Sequence, residues 1–131
     1  MAVHPIEERY GTREMRAVWS EQNRFSCIVR AEIALAHAEA VCGMIPPTAA
    51  EEIEQNAPSA SLARAKEIEL EIIHDMMAIV KSISAVTGGF GSCVHDGAQS
   101  SVILDTPPAP QHKDSIALLY YKHRRLLAVL L

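Results

Sequence analysis

Apolar residues recur at intervals of three and four through residues 62–86, whose sequence is LARAKEIELEIIHDMMAIVKSISAV. The main stripe consists of Ala65, Ile68, Ile72, Met76, Ile79, Ile83 and Val86. Such spacing is typical of one face of an α-helix. Ile73, Met77 and Val80 widen the stripe. We therefore predict one central helix over residues 62–86, covered on more than one side.

His74 and Asp75 lie in the middle of this predicted helix, where an acidic run gives way to an apolar half. An imidazole and a carboxylate in such a place are either paired inside a packed interface or presented to a ligand. They can also be a pair on the helix surface with no further role, since a motif this short is a weak signal. The segment alone leaves these interpretations open.

A second helix is predicted over residues 20–42 by the same spacing. Its expected core face consists of Ile28, Ala31, Leu35, Ala38 and Cys42. Ser20 is a suitable N-cap, and Gly43 closes the helix. The following turn contains Ile45, Pro46 and Pro47.

Shorter helices complete an all-α fold class. Thr12 is expected to cap a helix over residues 12–19, and a helix over 47–56 starts at Pro47 or Thr48, since proline is tolerated in a first helical turn. Residues 1–11 are expected to form an extended lead-in. Asp114 or Ser115 caps a last helix that runs to Leu131.

The sequence between residues 88 and 110 has a different character. Residues 88–101, GGFGSCVHDGAQSS, predict a glycine-rich loop with positive backbone φ angles. Residues 101–105, SVILD, predict a short strand, and residues 106–110, TPPAP, are unsuited to a helix interior.

The last helix ends on six apolar residues, LLAVLL, with no polar cap. An exposed apolar surface of that size is typical of an interface. We therefore expect part of a longer helix over residues 112–131, following a first unit over 1–111, and a homo-oligomer that assembles through the segment from Ser115 to Leu131.

Composition narrows the function classes. The chain has 131 residues, which suits one domain, and is 49% hydrophobic and 21% charged. A net charge of -4 without a basic block argues against nucleic-acid binding, and no apolar run reaches the length of a membrane span. Three cysteines in or beside apolar segments, with no signal peptide in sight, predict reduced buried thiols and a cytoplasmic location. His112 and His123 do not match a known ligand spacing, so no metal or cofactor is predicted.

Several stretches together resemble the N-terminal part of adenylosuccinate lyases, in the fumarase and aspartase superfamily. They are HPIEERYGTREM, the helix over residues 20–42, KEIELEIIHDMMAIVKSIS and the loop GSCVHDGAQS. They occur in order and at family-like spacing from Val3 to about Gly97. The resemblance implies a small helical domain followed by the start of a long bundle helix.

The implied reaction is β-elimination of fumarate from adenylosuccinate, a purine nucleotide, and from the related imidazole-carboxamide intermediate of purine synthesis. Such a reaction needs a base for a carbon-bound proton, an acid for the leaving nitrogen, and donors for a phosphate and two carboxylates. The family's catalytic serine loop and second histidine would lie beyond Leu131. A chain of this length is therefore expected to be inactive alone.

The resemblance also assigns roles residue by residue. Arg9 and Tyr10 match a pair implied to hold the nucleotide phosphate, although they can equally pin the N-terminal segment to the domain. His74 and Asp75 match a pair in the substrate pocket, where the histidine assists the acid. His95 matches a histidine near the substrate phosphate, and stabilising its own turn is the alternative role.

The segment from Asp96 to His123 departs from the family pattern. Gln99 stands where a threonine would bind a substrate carboxylate, and Val102 replaces an aspartate, while Ser100 is kept. Prolines at 107, 108 and 110 interrupt a helix that the family continues, so the helix is expected to restart later. These changes favour an alternative function, a non-enzymatic helical scaffold, natural or engineered, that self-associates through its last helix.

Overall fold

The structure, a computed structural model, describes residues 9–131, so most of the predicted extended lead-in over residues 1–11 lies outside the described residues. The chain forms helices throughout, and residues 9–131 contain no strand. The α-helices are α1 (Arg13–Val18), α2 (Glu21–Val41), α3 (Pro47–Asn56), α4 (Leu62–Ile72), α5 (Asp75–Ser84), α6 (Ser100–Asp105) and α7 (Pro108–Leu130). Short 3-10 helices occupy Ala57–Ser59 and Gly88–Cys93. The all-α prediction is confirmed, and the strand predicted over residues 101–105 is wrong because those residues belong to α6.

The predicted caps form as expected at the first two helices. The hydroxyl of Thr12 accepts a hydrogen bond from the Met15 amide, and that of Ser20 accepts one from the Asn23 amide at 3.2 Å. Gly43 follows α2 with φ +74°, a conformation that favours glycine. Local sequence signals therefore set the ends of α1 and α2.

One hydrophobic core lies between α2, α3 and the pair α4 and α5. Its most buried large side chains are Ile28, Ile53, Met76 and Ile83. Burying a side chain of this size stabilises the fold by about 1.5 to 3 kcal/mol. The core thus holds α2 in a fixed position relative to the α4–α5 unit.

The prediction of a single helix over residues 62–86 is wrong, because the helix is interrupted at Ile73. Ile73 has φ 54° and ψ 42°, a left-handed conformation that β-branched residues rarely adopt, and it is 89% exposed. The hydroxyl of Ser82, near the end of α5, donates to the Ser61 carbonyl at 3.2 Å, so α4 and α5 fold back on each other. A straight helix of this length would span about 37 Å at 1.5 Å per residue and could not bury its two halves together. The mutual burial of two apolar faces thus overrides the continuous periodicity.

The last helix starts at Pro108 rather than at Ser115. Pro108 and Pro110 occupy its first turn, where a missing N–H costs no intrahelical hydrogen bond. The prolines therefore begin the helix instead of preceding it, which corrects the predicted start by seven residues.

Only the first part of α7 packs on the domain. The Trp19 indole N–H donates to the Ser115 hydroxyl at 2.9 Å, and the Gln111 amide donates to the Val18 carbonyl at 2.8 Å. These contacts hold α7 against α1 and α2. Residues 119–131 are exposed.

The structure also bears on the expectations about membrane spans and cysteines. Within residues 9–131, no helix is both long enough and apolar enough to cross a membrane. The cysteines are free, but only Cys27 is buried; Cys42 is exposed and Cys93 is partly covered. The prediction of buried thiols is therefore right for one of the three positions.

Candidate functional site

His74 and Asp75 lie at the start of α5 rather than in the middle of a helix. The His74 ring caps this helix, with Nδ1 accepting a hydrogen bond from the Met77 amide at 3.3 Å. Because a neutral imidazole has one donor and one acceptor nitrogen, this bond places the ring proton on Nε2. His74 thus has an N–H without a hydrogen-bond partner among residues 9–131, which can point toward a ligand.

Asp75 is next to this ring and equally open. Its carboxylate accepts from the Met76 amide at 2.7 Å, and its Oδ1 atom is 3.8 Å from Nδ1 of His74. The side chains are 50% exposed at His74 and 58% exposed at Asp75. Within the described residues the pair is therefore not packed inside the domain, and its exposure fits both a pair presented to a ligand and a surface pair with no further role.

The pair lines an open groove along α4. The lining residues are Lys66, Glu69, Leu70, Ile73, His74 and Asp75. A second groove shares Lys66, Glu69 and Asp75 and continues to Glu21 and Arg24 on α2. Lys66 forms an ion pair with Glu21. The two grooves thus form a continuous surface that combines acidic, basic and imidazole groups.

His95 is in a different environment. It follows the 3-10 helix Gly88–Cys93 with φ +66°, and its Nδ1 atom is 2.7 Å from Oε1 of Glu32 on α2. The side chains are 8% exposed at His95 and 0% exposed at Glu32. Burial raises the pKa of Glu32, while the hydrogen bond and the charge of His95 lower it. A buried carboxylate therefore holds the imidazole from one side.

Glu39 lies two turns further along α2, on the same face as Glu32. Burial raises the pKa of Glu39, and the nearby charges of Asp96 and Glu32 raise it further. One carboxylate oxygen each of Glu32 and Glu39 is buried with no hydrogen-bond partner in the described part of the chain. Glu32, Glu39 and Asp96 are defined here as the acidic cluster: Glu32 contacts the His95 ring, and Glu39 interacts electrostatically with Asp96, Glu32 and His95.

The sequence analysis missed Glu32 and Glu39. The buried residues of α2 are Phe25, Cys27, Ile28, Val29, Glu32, Ala36 and Glu39. The predicted face was therefore wrong at Ala38 and Cys42, which are exposed. Two glutamates that fall in register with Phe25, Ile28 and Ala36 were the available signal, because charged residues are seldom buried without a partner.

The remaining predicted residues lie elsewhere. Gln99 precedes α6, is exposed, and lines a groove with Glu39 and Asp96 that does not include His74. Ser100 is the first residue of α6 and is partly covered. Arg9 and Tyr10 are both exposed. Within residues 9–131, the predicted set is therefore divided among separate places, with His74 and Asp75 in one groove and Gln99 in another.

Metal binding has no support in the described residues. His112 is held by the Pro108 carbonyl at 2.8 Å and by an edge contact with the Trp19 ring. Across residues 9–131, no group of three or more His, Cys, Asp or Glu side chains is arranged to hold a metal ion.

Comparisons with known proteins find relatives that are named as lyases. The chain is 46% identical to an adenylosuccinate lyase of Pyrococcus abyssi over 132 residues, which is 99% of this chain and 29% of that protein. It is 36% identical over 137 residues to an N-acetyl-S-(2-succino)cysteine lyase of Dickeya dadantii, covering 98% of this chain and 30% of that protein. No protein-family model matches the chain.

Solved structures agree with the sequence comparison. A crystal structure of a fumarate lyase from Mesorhizobium sp. BNC1 matches with a TM-score of 0.74 and 32% identity, over 84% of this chain and 27% of that one. The chain therefore spans less than a third of the length of the proteins it matches.

Proposed function

We propose that this chain supplies part of the substrate site of a lyase. Its sequence corresponds to the N-terminal part of an adenylosuccinate lyase, in the fumarase and aspartase superfamily. The proposed reaction is β-elimination of fumarate from adenylosuccinate and from the related imidazole-carboxamide intermediate. The similarity over 99% of the chain carries this proposal. A cytoplasmic location belongs to the same proposal.

The roles proposed for the groove fit its chemistry. His74 assists the acid, since its Nε2–H is free while Nδ1 is engaged in the cap. Asp75 contributes to the same pocket, next to Lys66. Arg9 and Tyr10 bind the nucleotide phosphate, for which a guanidinium and a phenol are suitable donors. His95, Gln99 and Ser100 complete the proposed substrate contacts.

Residues 1–131 are proposed to lack activity by themselves. The groove at His74 is open, and the chain spans only 29% of a related lyase. One exposed arginine contact contributes about 1 to 3 kcal/mol, which corresponds to a dissociation constant weaker than about 1 mM. Substrate binding and turnover therefore require further residues around this surface.

A chimeric enzyme tests the proposal. In it, this chain replaces the matching 29% of the Pyrococcus abyssi adenylosuccinate lyase. We expect the chimera to release fumarate from adenylosuccinate, the isolated chain to release none, and His74→Ala to reduce the rate at least about 100-fold. His37→Ala is the matched control, because His37 is an exposed histidine paired with Glu54. A folded chimera without fumarate release, or one that is insensitive to His74→Ala, would contradict the proposed function.

Self-association through the segment from Ser115 to Leu131 is the second proposal, and it also serves the alternative scaffold function. The exposed apolar residues of α7 include Ile116, Leu119, Leu126, Leu127, Val129 and Leu130. Burying each leucine contributes about 1.5 to 3 kcal/mol, and several together exceed the cost of association.

Sedimentation at micromolar concentration tests this interface. We expect an oligomer that dissociates when Leu127 and Leu130 are both changed to glutamate. Leu70→Glu is the control, because Leu70 is an exposed leucine on α4, away from α7. A monomeric parent chain would contradict the proposed interface.

A further inference from the structure

We propose that Glu32 is a positioning residue for His95. Its carboxylate accepts the Nδ1 proton of the imidazole, keeps the ring in that tautomer, and leaves Nε2 as the nitrogen that faces the substrate. The proposal rests on the proposed function only in assigning His95 to the substrate site. The tautomer itself can be measured on the chain without any substrate.

The contact between the two side chains is short and enclosed. Nδ1 of His95 and Oε1 of Glu32 are 2.7 Å apart, and the residues are separated by 63 positions in sequence. Hydrogen bonds to an ionised carboxylate are shorter and stronger than those between neutral groups. An ionised carboxylate can only accept, so the proton in this bond belongs to Nδ1.

The opposite arrangement is chemically possible and defines the test. Burial raises the pKa of Glu32, and a protonated Glu32 would donate to Nδ1 instead. The imidazole would then carry its own proton on Nε2. The position of the ring proton therefore decides between a carboxylate that holds the ring by Nδ1–H and a carboxylic acid that donates to it.

The backbone at His95 supports a dedicated orientation. Its φ of +66° is left-handed, a conformation that is unfavourable for a residue with a side chain. Gly97, two residues later, adopts φ +68° without this cost. The loop thus maintains a strained conformation at the residue whose ring reaches Glu32.

The second ring nitrogen is unused in the described part of the chain. Nδ1 is engaged by Glu32, whereas Nε2 has no hydrogen-bond partner among residues 9–131 and is not one of the fully buried unpaired atoms. Glu32 on α2 contacts the ring, and Glu39 on α2 interacts electrostatically with His95 and with Asp96 on the same loop as His95. Fixing Nδ1 therefore leaves a single nitrogen for a proton or a ligand.

Nitrogen NMR on the ¹⁵N-histidine-labelled chain tests the tautomer directly. At about pH 8.5, two units above the ordinary histidine pKa, we expect His95 to show the Nδ1–H pattern. Glu32→Leu, which removes the acceptor, should shift His95 toward the Nε2–H form that free histidine prefers in water. Glu54→Leu, beside the exposed His37, is the matched control and should leave the His95 signals unchanged. An Nε2–H pattern in the parent chain, or an Nδ1–H pattern that survives Glu32→Leu, would overturn the proposal.

The chimeric lyase separates positioning from a purely structural role. Glu32→Gln should lower kcat about tenfold or more and displace the pH profile, while KM changes little. A loss of folded protein without a change in the pH profile of the remaining activity would assign Glu32 to loop stability alone. A chimera with no activity would contradict the proposed function, whereas the tautomer measurement on the isolated chain would still decide the role of Glu32.

Discussion

His74 and His95 come from the same family resemblance, but the structure places them in opposite environments. His74 is half exposed at the start of α5, where it accepts a local hydrogen bond from an amide three residues away. His95 is buried and contacts a carboxylate 63 positions earlier in the chain. The first ring is thus held by its own helix, and the second by tertiary packing.

The comparison shows how one nitrogen can be used in two ways. Nδ1 is an acceptor at His74, which puts the proton on Nε2, and a donor at His95, which leaves Nε2 without a proton. One ring then offers an N–H to a ligand, and the other offers a lone pair.

Removing Glu32 should give the largest change in stability. We expect Glu32→Ala to lower the free energy of unfolding by about 1 to 3 kcal/mol, because it leaves a buried imidazole N–H without its acceptor. Urea unfolding of the 131-residue chain measures this effect. Glu54→Ala, in the exposed pair with His37, should cost less than about 1 kcal/mol. Equal losses in the two variants would remove the distinction between a buried and an exposed histidine pair.

Removing the His74 ring should have a smaller effect. His74→Ala deletes a helix cap, which costs about 1 kcal/mol in unfolding free energy. Ser61→Ala removes the corresponding cap of α4 and should cost a similar amount. A loss above about 3 kcal/mol at His74 would show that this ring is part of the packed core after all.

The acidic cluster should give the smallest effect, visible mainly as a pH dependence. Burial, Asp96 and Glu32 raise the pKa of Glu39, so the folded chain binds this proton more tightly than the unfolded chain does. Stability therefore decreases as pH rises from the ordinary value of 4.5 through the raised pKa. Glu39→Gln should flatten this decrease and stabilise the chain at neutral pH by up to about 1 kcal/mol. Unfolding curves between pH 4 and 8 would contradict this if the parent and the variant had the same slope.

Local signals explain what the sequence predicted correctly. The all-α class, the caps at Thr12 and Ser20 and the start of α3 at Pro47 depend on residues within one helical turn. The break at Ile73 could not be read in the same way, because it depends on the burial of α4 against α5. Periodicity alone continues smoothly through that position.

At the candidate site too, the sequence predicted local features and missed a long-range contact. The family resemblance identified His95 but not its partner, since nothing near His95 in sequence points to Glu32. Glu32 and Glu39 lie on the buried face of α2, and a buried carboxylate at Glu32 is explained only once a distant imidazole is known to reach it. Long-range pairing of polar groups therefore remained beyond sequence reasoning.

His74 and His95 carry the ring proton on different nitrogens. One ¹⁵N spectrum of the chain at about pH 8.5, two units above the ordinary histidine pKa, tests this directly. We predict the Nε2–H pattern for His74 and the Nδ1–H pattern for His95 in the same sample. The assignments can be made by comparison with His74→Ala and His95→Ala. The same tautomer at both positions would contradict the account.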